Sequence, residues 1–220
     1  MFRKLVPLLV ALALVGCGEE RAGSGTASLW VTRDRGATVI HTTTVPAGIS
    51  ALEALDRALD VKTSYGGRFV QSIEGVEGSL ADQRDWFWYV NGLEGDVSAA
   101  EYTLRPGDVE WWDYRSWAEQ MQVPVVVGAF PEPFVHGFGG DVPPAVVVGA
   151  SPAAPRLARL IHGRVVPSPP DGANVLRIVP GRGLRARRSG DWVTFELGAA
   201  DAPRLARDPA LARYRFEGLR

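Results

Sequence analysis

The sequence predicts an α+β protein of two small folded units behind a short leader. Three observations carry that prediction. The first is the order of patterns in the first half: two β-branched runs, one amphipathic helix, then aromatic strands. The second is a shift in charge near the middle of the chain. The third is an apolar segment at the start that ends in the only cysteine.

Arg3 and Lys4 precede the apolar run Leu5–Val15, which is broken only by Pro7. A run of that length suits a signal-peptide core and is short of the ~20 apolar residues a bilayer-spanning helix needs. It ends in Leu14-Val15-Gly16-Cys17, which resembles a bacterial lipobox. That resemblance implies a signal peptide over residues 1–17, a lipidated Cys17 as the mature N-terminus, and an extracytoplasmic, membrane-anchored protein. A lone cysteine rules out an internal disulfide. Residues 18–28, rich in Gly, Ser, Ala and Glu, read as a flexible tether.

Two strands follow, Ala27–Thr32 and Thr38–Val45, with a polar turn at 33–36. Ser50 and Glu53 have capping-box spacing, and Ile49, Leu52, Leu55 and Leu59 recur on one helical face. Phe69–Ile73 reads as a strand and 75–84 as a polar loop. The densest aromatic stretch is Trp86–Tyr89, which ends in the turn Asn91-Gly92. Arg105–Asp108 is a second turn, leading into Val109–Tyr114. Strands before and after a single helix suit a β-grasp (ubiquitin-like) domain over residues 29–117.

The second unit, 123–220, reads as a small α+β domain of unrecognised fold. Val123–Phe130 is an expected strand, 131–140 a loop and Ala145–Gly149 a short buried strand. A helix starts at Ser151-Pro152. Val175–Val179 and Trp192–Leu197 are expected strands flanking a Gly- and Arg-rich hairpin at 182–190. One or two short helices are expected within 203–214.

Charge is unevenly placed. Residues 18–117 hold 9 Lys/Arg against 16 Asp/Glu, whereas 118–220 hold 13 Arg against 9 Asp/Glu. Neither half has the strong basic face of a nucleic-acid binder. No P-loop, dinucleotide fingerprint or nucleophile elbow occurs, and the three histidines are far apart in sequence. The chain reads as a non-enzyme, with an envelope hydrolase as the weaker alternative, and it requires no cofactor.

The aromatic residues are the sharpest functional signal. Strand alternation places Trp86, Trp88 and Val90 on one face and Phe87 and Tyr89 on the other. Trp111 and Asp113 oppose Trp112 and Tyr114 in the same way. One face must cover the helix. The other is expected either to fill the core rim or to offer a flat platform for a ligand. The expected ligand-binding residues are Trp88, Tyr89, Asn91, Trp111, Trp112 and Tyr114. His136 in its Gly/Pro/Phe loop and Arg182, Arg185, Arg187 and Arg188 are read as hydrogen-bonding and solvated side chains.

Trp88-Tyr89-Val90-Asn91-Gly92, followed by Leu104-Arg105-Pro106-Gly107-Asp108-Val109-Glu110-Trp111, resembles the transcobalamin-like C-terminal domain family (DUF4430). The resemblance implies a β-grasp domain that helps cover a corrinoid. It carries Trp88, Tyr89, Asn91, Gly92, Gly107, Asp108 and Trp111 over as matching positions, the glycines and Asn91 for turns and the aromatics for ligand contact. This chain lacks the α-helical barrel domain that holds most of the ligand in transcobalamins. The expectation is a lipid-anchored binding protein for a small molecule such as cobalamin, partnered by a vitamin-type transporter. The alternative is a surface module whose aromatic face meets a protein or cell-wall glycan.

Overall fold

The computed structural model describes residues 25–220, so the leader, Cys17 and most of the tether lie outside the described residues. The described residues form a mixed α and β protein dominated by sheets.

The first sheet contains β1 (Thr26–Arg33), β2 (Thr38–Pro46), β6 (Arg84–Val90), β7 (Leu93–Glu94) and β8 (Val109–Ser116), in the order β2-β1-β8-β6-β7. The β1–β2 hairpin is antiparallel, β1 runs parallel to β8, and β6 is antiparallel to both of its neighbours. The hairpin turn places Asp34 and Arg35 at positive φ. The buried Asp113 carboxylate holds it, accepting from the Thr32 hydroxyl (2.5 Å) and from the backbone N–H groups of Arg35 (2.9 Å) and Gly36 (2.8 Å).

One face of this sheet carries helix α1 (Ala51–Ala58). The Ser50 hydroxyl accepts from the Glu53 N–H at 3.1 Å, satisfying one orphan donor of the first turn. The reciprocal half of the capping box is absent, because the Glu53 side chain turns instead to Arg57 at 2.5 Å. The buried residues of α1 are Ala51, Ala54 and Leu55, while Leu52 and Leu59 are only half-buried. The expected apolar stripe is thus rotated toward its alanines, which lets the helix lie close to Leu29, Val90 and Trp112 in one core.

Beside this core lies a small antiparallel sheet of β3 (Val61–Ser64), β4 (Phe69–Ile73) and β5 (Val76–Glu77). β3 and β7 are short strands that the sequence pattern does not announce, and β5 opens the segment expected to be wholly loop.

The second half is built on β9 (Ala145–Val148), β10 (Arg164–Val166), β11 (Asn174–Val179), β12 (Leu184–Ser189) and β13 (Trp192–Gly198), in the order β10-β9-β11-β13-β12. Only β12 is antiparallel. Val147 enters the main core of this half, whereas Val146 and Val148 pack on the other face. A continuous β-branched run is what a strand covered on both faces requires. Helices α3 (Ala154–Leu160) and α4 (Ala202–Arg207) bury Leu157 and Leu205 against the sheet.

Three expectations are corrected here. Val123–Phe130 is not a strand: it makes a single bridge, Val125 to Leu93, and then closes into a 3-10 turn at Val127–Ala129. Pro124 has no N–H to donate, and the segment instead lies along the β6–β7 hairpin, with Val126 N–H donating to Gly92 O at 2.8 Å. The 131–140 loop contains a short helix, α2 (Glu132–Val135). The arginines of 182–190 are also not all in a turn. Arg185, Arg187 and Arg188 belong to the edge strand β12, with Leu184 turned inward.

Candidate functional site

The Asn-Gly turn between β6 and β7 has both residues at positive φ, 53° and 82°, as a tight hairpin of matching twist requires. Its side chain does more than turn the chain. Asn91 Oδ1 accepts from Val109 N–H (2.8 Å), and Nδ2 donates to Asp108 Oδ1 (2.7 Å) and to Gly137 O (2.8 Å). Asp108 also accepts from the Arg105 N–H (2.8 Å) and the Tyr102 hydroxyl (3.1 Å). Both side chains are buried. The family-like motif therefore forms a satisfied polar knot that closes the end of β6 and β8 and ties it to the second half. A Cβ on Gly92 would meet Val126 O at 2.9 Å, and one on Gly107 would meet the His136 ring at 2.7 Å. His136 itself pairs with Glu132.

The aromatic rows alternate as expected, and both faces are covered. Trp86, Trp88, Trp112 and Tyr114 lie on the α1 face. Tyr89 and Trp111, with Trp30 and Phe87, lie on the opposite face, under Val123, Val126, Tyr214 and Phe216. Trp111 is fully buried and donates from Nε1 to the Thr32 hydroxyl at 2.7 Å. The Tyr89 ring is 5.6 Å from Phe216, and burial pushes its hydroxyl pKa up. Trp112 is buried, with Nε1 donating to Glu110 Oε1 at 2.6 Å. Tyr114 is buried and donates to Glu77 O at 2.9 Å. Of the six expected ligand-binding residues, Tyr89, Asn91, Trp111, Trp112 and Tyr114 are buried, and all but Tyr89, whose hydroxyl has no hydrogen-bond partner among the described residues, bond internally. They cannot form an open platform. The physical reason is the chain's second half, whose last segment returns to roof the face that alternation alone leaves bare.

Trp88 is different. It is half-buried, packed on Trp112 at 6.1 Å and Tyr102 at 5.7 Å, and it walls a cleft of about 790 Å³. The cleft wraps the outer edge of β6 where β7 has already ended. Phe69, Trp86, Phe87, Trp88 and Trp117 supply aromatic walls, the exposed Leu80 and Met121 stand at its mouth, and Arg188 of β12 also lines it. Leu80 is 86% exposed. Volume, apolar lining and position between two halves are those of a small-molecule site.

The cleft also holds three carboxylates, Asp85, Glu94 and Asp96. Burial pushes the Asp85 carboxyl up, partly offset by the Trp86 N–H that donates to it at 2.8 Å. Burial likewise raises Glu94, while the Arg115 guanidinium, 3.5 Å away, pulls it back. Arg115 is itself fully buried, with its guanidinium carbon 3.6 Å from the Phe87 ring centroid. It donates to the carbonyls of Gln120 (2.9 Å) and Met121 (2.8 Å). A buried cation thus clips the 117–122 segment into place as one wall. Among the described residues no group of three or more His, Cys, Asp or Glu is placed to hold a metal.

Of the cleft's aromatic residues, Trp88 alone is among those the sequence marks for ligand contact. Phe69, Leu80, Met121 and Arg188 are not visible as site residues, because sheet order brings them together. The one signal that marks the cleft is Gly95, the residue directly after β7, where the two-residue strand ends. A Cβ there would sit 2.0 Å from the Trp88 indole.

Residues 48–116, from α1 through β8, match the family described as Domain of unknown function (DUF4430). The match lies inside the segment that resembles the transcobalamin-like C-terminal domain and leaves out β1 and β2. No curated protein matches the chain. Two of the solved structures similar over part of it are as follows. One is a protein from Ruminococcus gnavus described as a candidate metal-binding protein, at 14% identity and TM-score 0.35, over 42% of this chain and 97% of that one. The other is haptocorrin in complex with Cbi, at 18% identity and TM-score 0.33, over 41% of this chain. This chain spans 26% of that haptocorrin chain.

Proposed function

We infer that this is a lipid-anchored, extracytoplasmic binding protein, not an enzyme, and that the aromatic cleft beside β6 receives a small molecule. The single observation that carries this reading is the cleft itself: five aromatic residues around about 790 Å³ at the junction of two halves. The β1–β2 hairpin, the crossing helix and the return of β8 parallel to β1 support reading the first unit as a β-grasp. The DUF4430 match and the motif resemblance make a corrinoid the first ligand to test, for delivery to a vitamin-type transporter. The lipobox at Cys17 supports anchoring at the outer face of a cell membrane.

The test is to titrate the soluble fragment beginning at Gly18 with cobalamin and follow tryptophan fluorescence. Saturable quenching beyond the inner-filter effect, weakened in Trp88→Ala, is the expected result. No quenching at high micromolar ligand overturns the corrinoid reading. Cys17→Ser should abolish labelling by radioactive palmitate, and unchanged labelling overturns the anchor.

A second reading has one observation behind it. Leu80 and Met121 expose apolar surface at the cleft mouth, which suits a protein or cell-wall glycan docking over the cleft.

A further inference from the structure

The polar side of recognition can be read from the backbone of β6, and it rests on the assignment of the cleft as the binding site. In an antiparallel pair, alternate residues direct their N–H and C=O to the neighbour and the others direct them away. Arg84 exchanges both backbone bonds with Ser79, on the side away from β8, and Trp88 O accepts from Gly95 N–H on that same side. Trp86 has the same parity. The Trp86 and Trp88 backbone groups therefore face the cleft, while Phe87 and Tyr89 bond to β8.

Their partners are incomplete. The Trp86 N–H is taken by the Asp85 carboxylate at 2.8 Å. Among the described residues, neither the Trp86 carbonyl nor the Trp88 N–H has a hydrogen-bond partner. One acceptor and one donor, two residues apart on one strand edge, are the spacing at which a strand reads the N–H and C=O of one facing residue. β7 is only two residues long, so no strand among the described residues covers them.

The side chains around this edge bias the choice further. Asp85, Glu94 and Asp96 line the cleft against Arg188 as its one lining cation, and Asp85 Oδ2 and Asp96 have no hydrogen-bond partner among the described residues. The cleft is rich in acceptors, so it favours a ligand that brings N–H donors and disfavours carboxylates. The aromatic walls above and below the edge accommodate the apolar body between those donors.

We propose that the ligand of this cleft bears amides and that it pairs, strand-fashion, with the Trp86 carbonyl and Trp88 N–H on the open edge of β6. The amide is the shared chemistry of two sources, a ring with carboxamide arms and a short extended peptide.

Backbone groups cannot be removed by side-chain substitution, so the ligand is varied instead. The fragment from Gly18, labelled with ¹⁵N, is titrated with three probes: dicyanocobinamide, an acetylated and amidated tetrapeptide containing Trp and Lys, and the heptamethyl ester of dicyanocobyrinic acid. The ester keeps the ring and has no N–H donors. In the free protein the Trp88 amide should exchange with deuterium at least about a hundredfold faster than those of Phe87 and Tyr89. An amide-bearing probe should bind at least about tenfold more tightly than the ester and protect the Trp88 amide. Which of the two amide probes binds identifies the source. If the ester binds as well as cobinamide at the cleft, the amide inference falls and the cleft assignment stands. If no probe perturbs cleft resonances, both fall. A Trp88 amide as slow as Phe87 in the free protein also overturns the inference.

Discussion

Trp88 and Trp111 sit on neighbouring strands, across the β6–β8 pair from one another's partners, and meet different fates. Trp111 belongs to the closed face of the first sheet, sealed by Phe216 and bonded to Thr32. Trp88 belongs to the open edge, half-buried beside a cleft. Both are large aromatics in the family-like motif. The difference teaches that strand position, not residue type, decides which aromatic is available. A central strand such as β8 is covered on two faces and paired on two sides. β6 loses one neighbour when β7 stops after Glu94.

That contrast can be broken from either side. Trp111→Ala should have the largest effect, roughly 3–5 kcal/mol of stability, because it opens a cavity in the closed face and leaves the Thr32 hydroxyl without its donor. Urea denaturation measures it, and a loss under about 1 kcal/mol would show that the face is not the sealed core described. Arg115→Met should follow at roughly 2–4 kcal/mol, since it frees the carbonyls that hold the 117–122 wall and leaves Glu94 without its cation. Hydrogen exchange over residues 117–122 should rise selectively, and uniform exchange across the chain would contradict the clip.

Glu110 gives a pH-dependent contrast within the same sheet. Its carboxyl is buried, and burial pushes its pKa up from 4.5 to about 8. The folded state then binds a proton more tightly than the unfolded state. The stability this group contributes is complete below pH 4.5 and is lost as pH rises through that window to about 8. Glu110→Gln should remove that loss. Relative to the parent it should gain roughly 4 kcal/mol between pH 4 and pH 8, an amide N–H without a partner lowering both values alike. Thermal melts at the two pH values decide it, and an equal shift at both would refute it. The smallest effect belongs to the open edge. Leu80→Ser should change stability by less than about 0.5 kcal/mol, and a larger loss would mean that the cleft mouth is part of the core.

The sequence makes the α1 helix, the Asn-Gly hairpin and the alternation of β6 and β8 legible, because each is a local pattern with a local cause. Ser50 caps α1 and Gly92 turns the hairpin wherever the rest of the chain goes. The second half is less legible. Val146–Val148 announces a buried strand, but nothing local says that its neighbours run parallel to it. The site is legible only in part. Alternation assigns Tyr89 and Trp111 to one face, yet their cover comes from Phe216, more than a hundred residues later. The cleft is a long-range product of the same kind, made where Phe69, Trp88, Met121 and Arg188 converge.

The cleft depends on an absence at Gly95. The Trp88 indole lies flat across that residue at a distance no Cβ would permit. One methyl group there would push the ring off its seat and toward the larger free volume beside it. The wall of the cleft would then become its plug, with every aromatic residue still present and the sheet still paired. Vacancy in this protein is guarded by a single hydrogen atom.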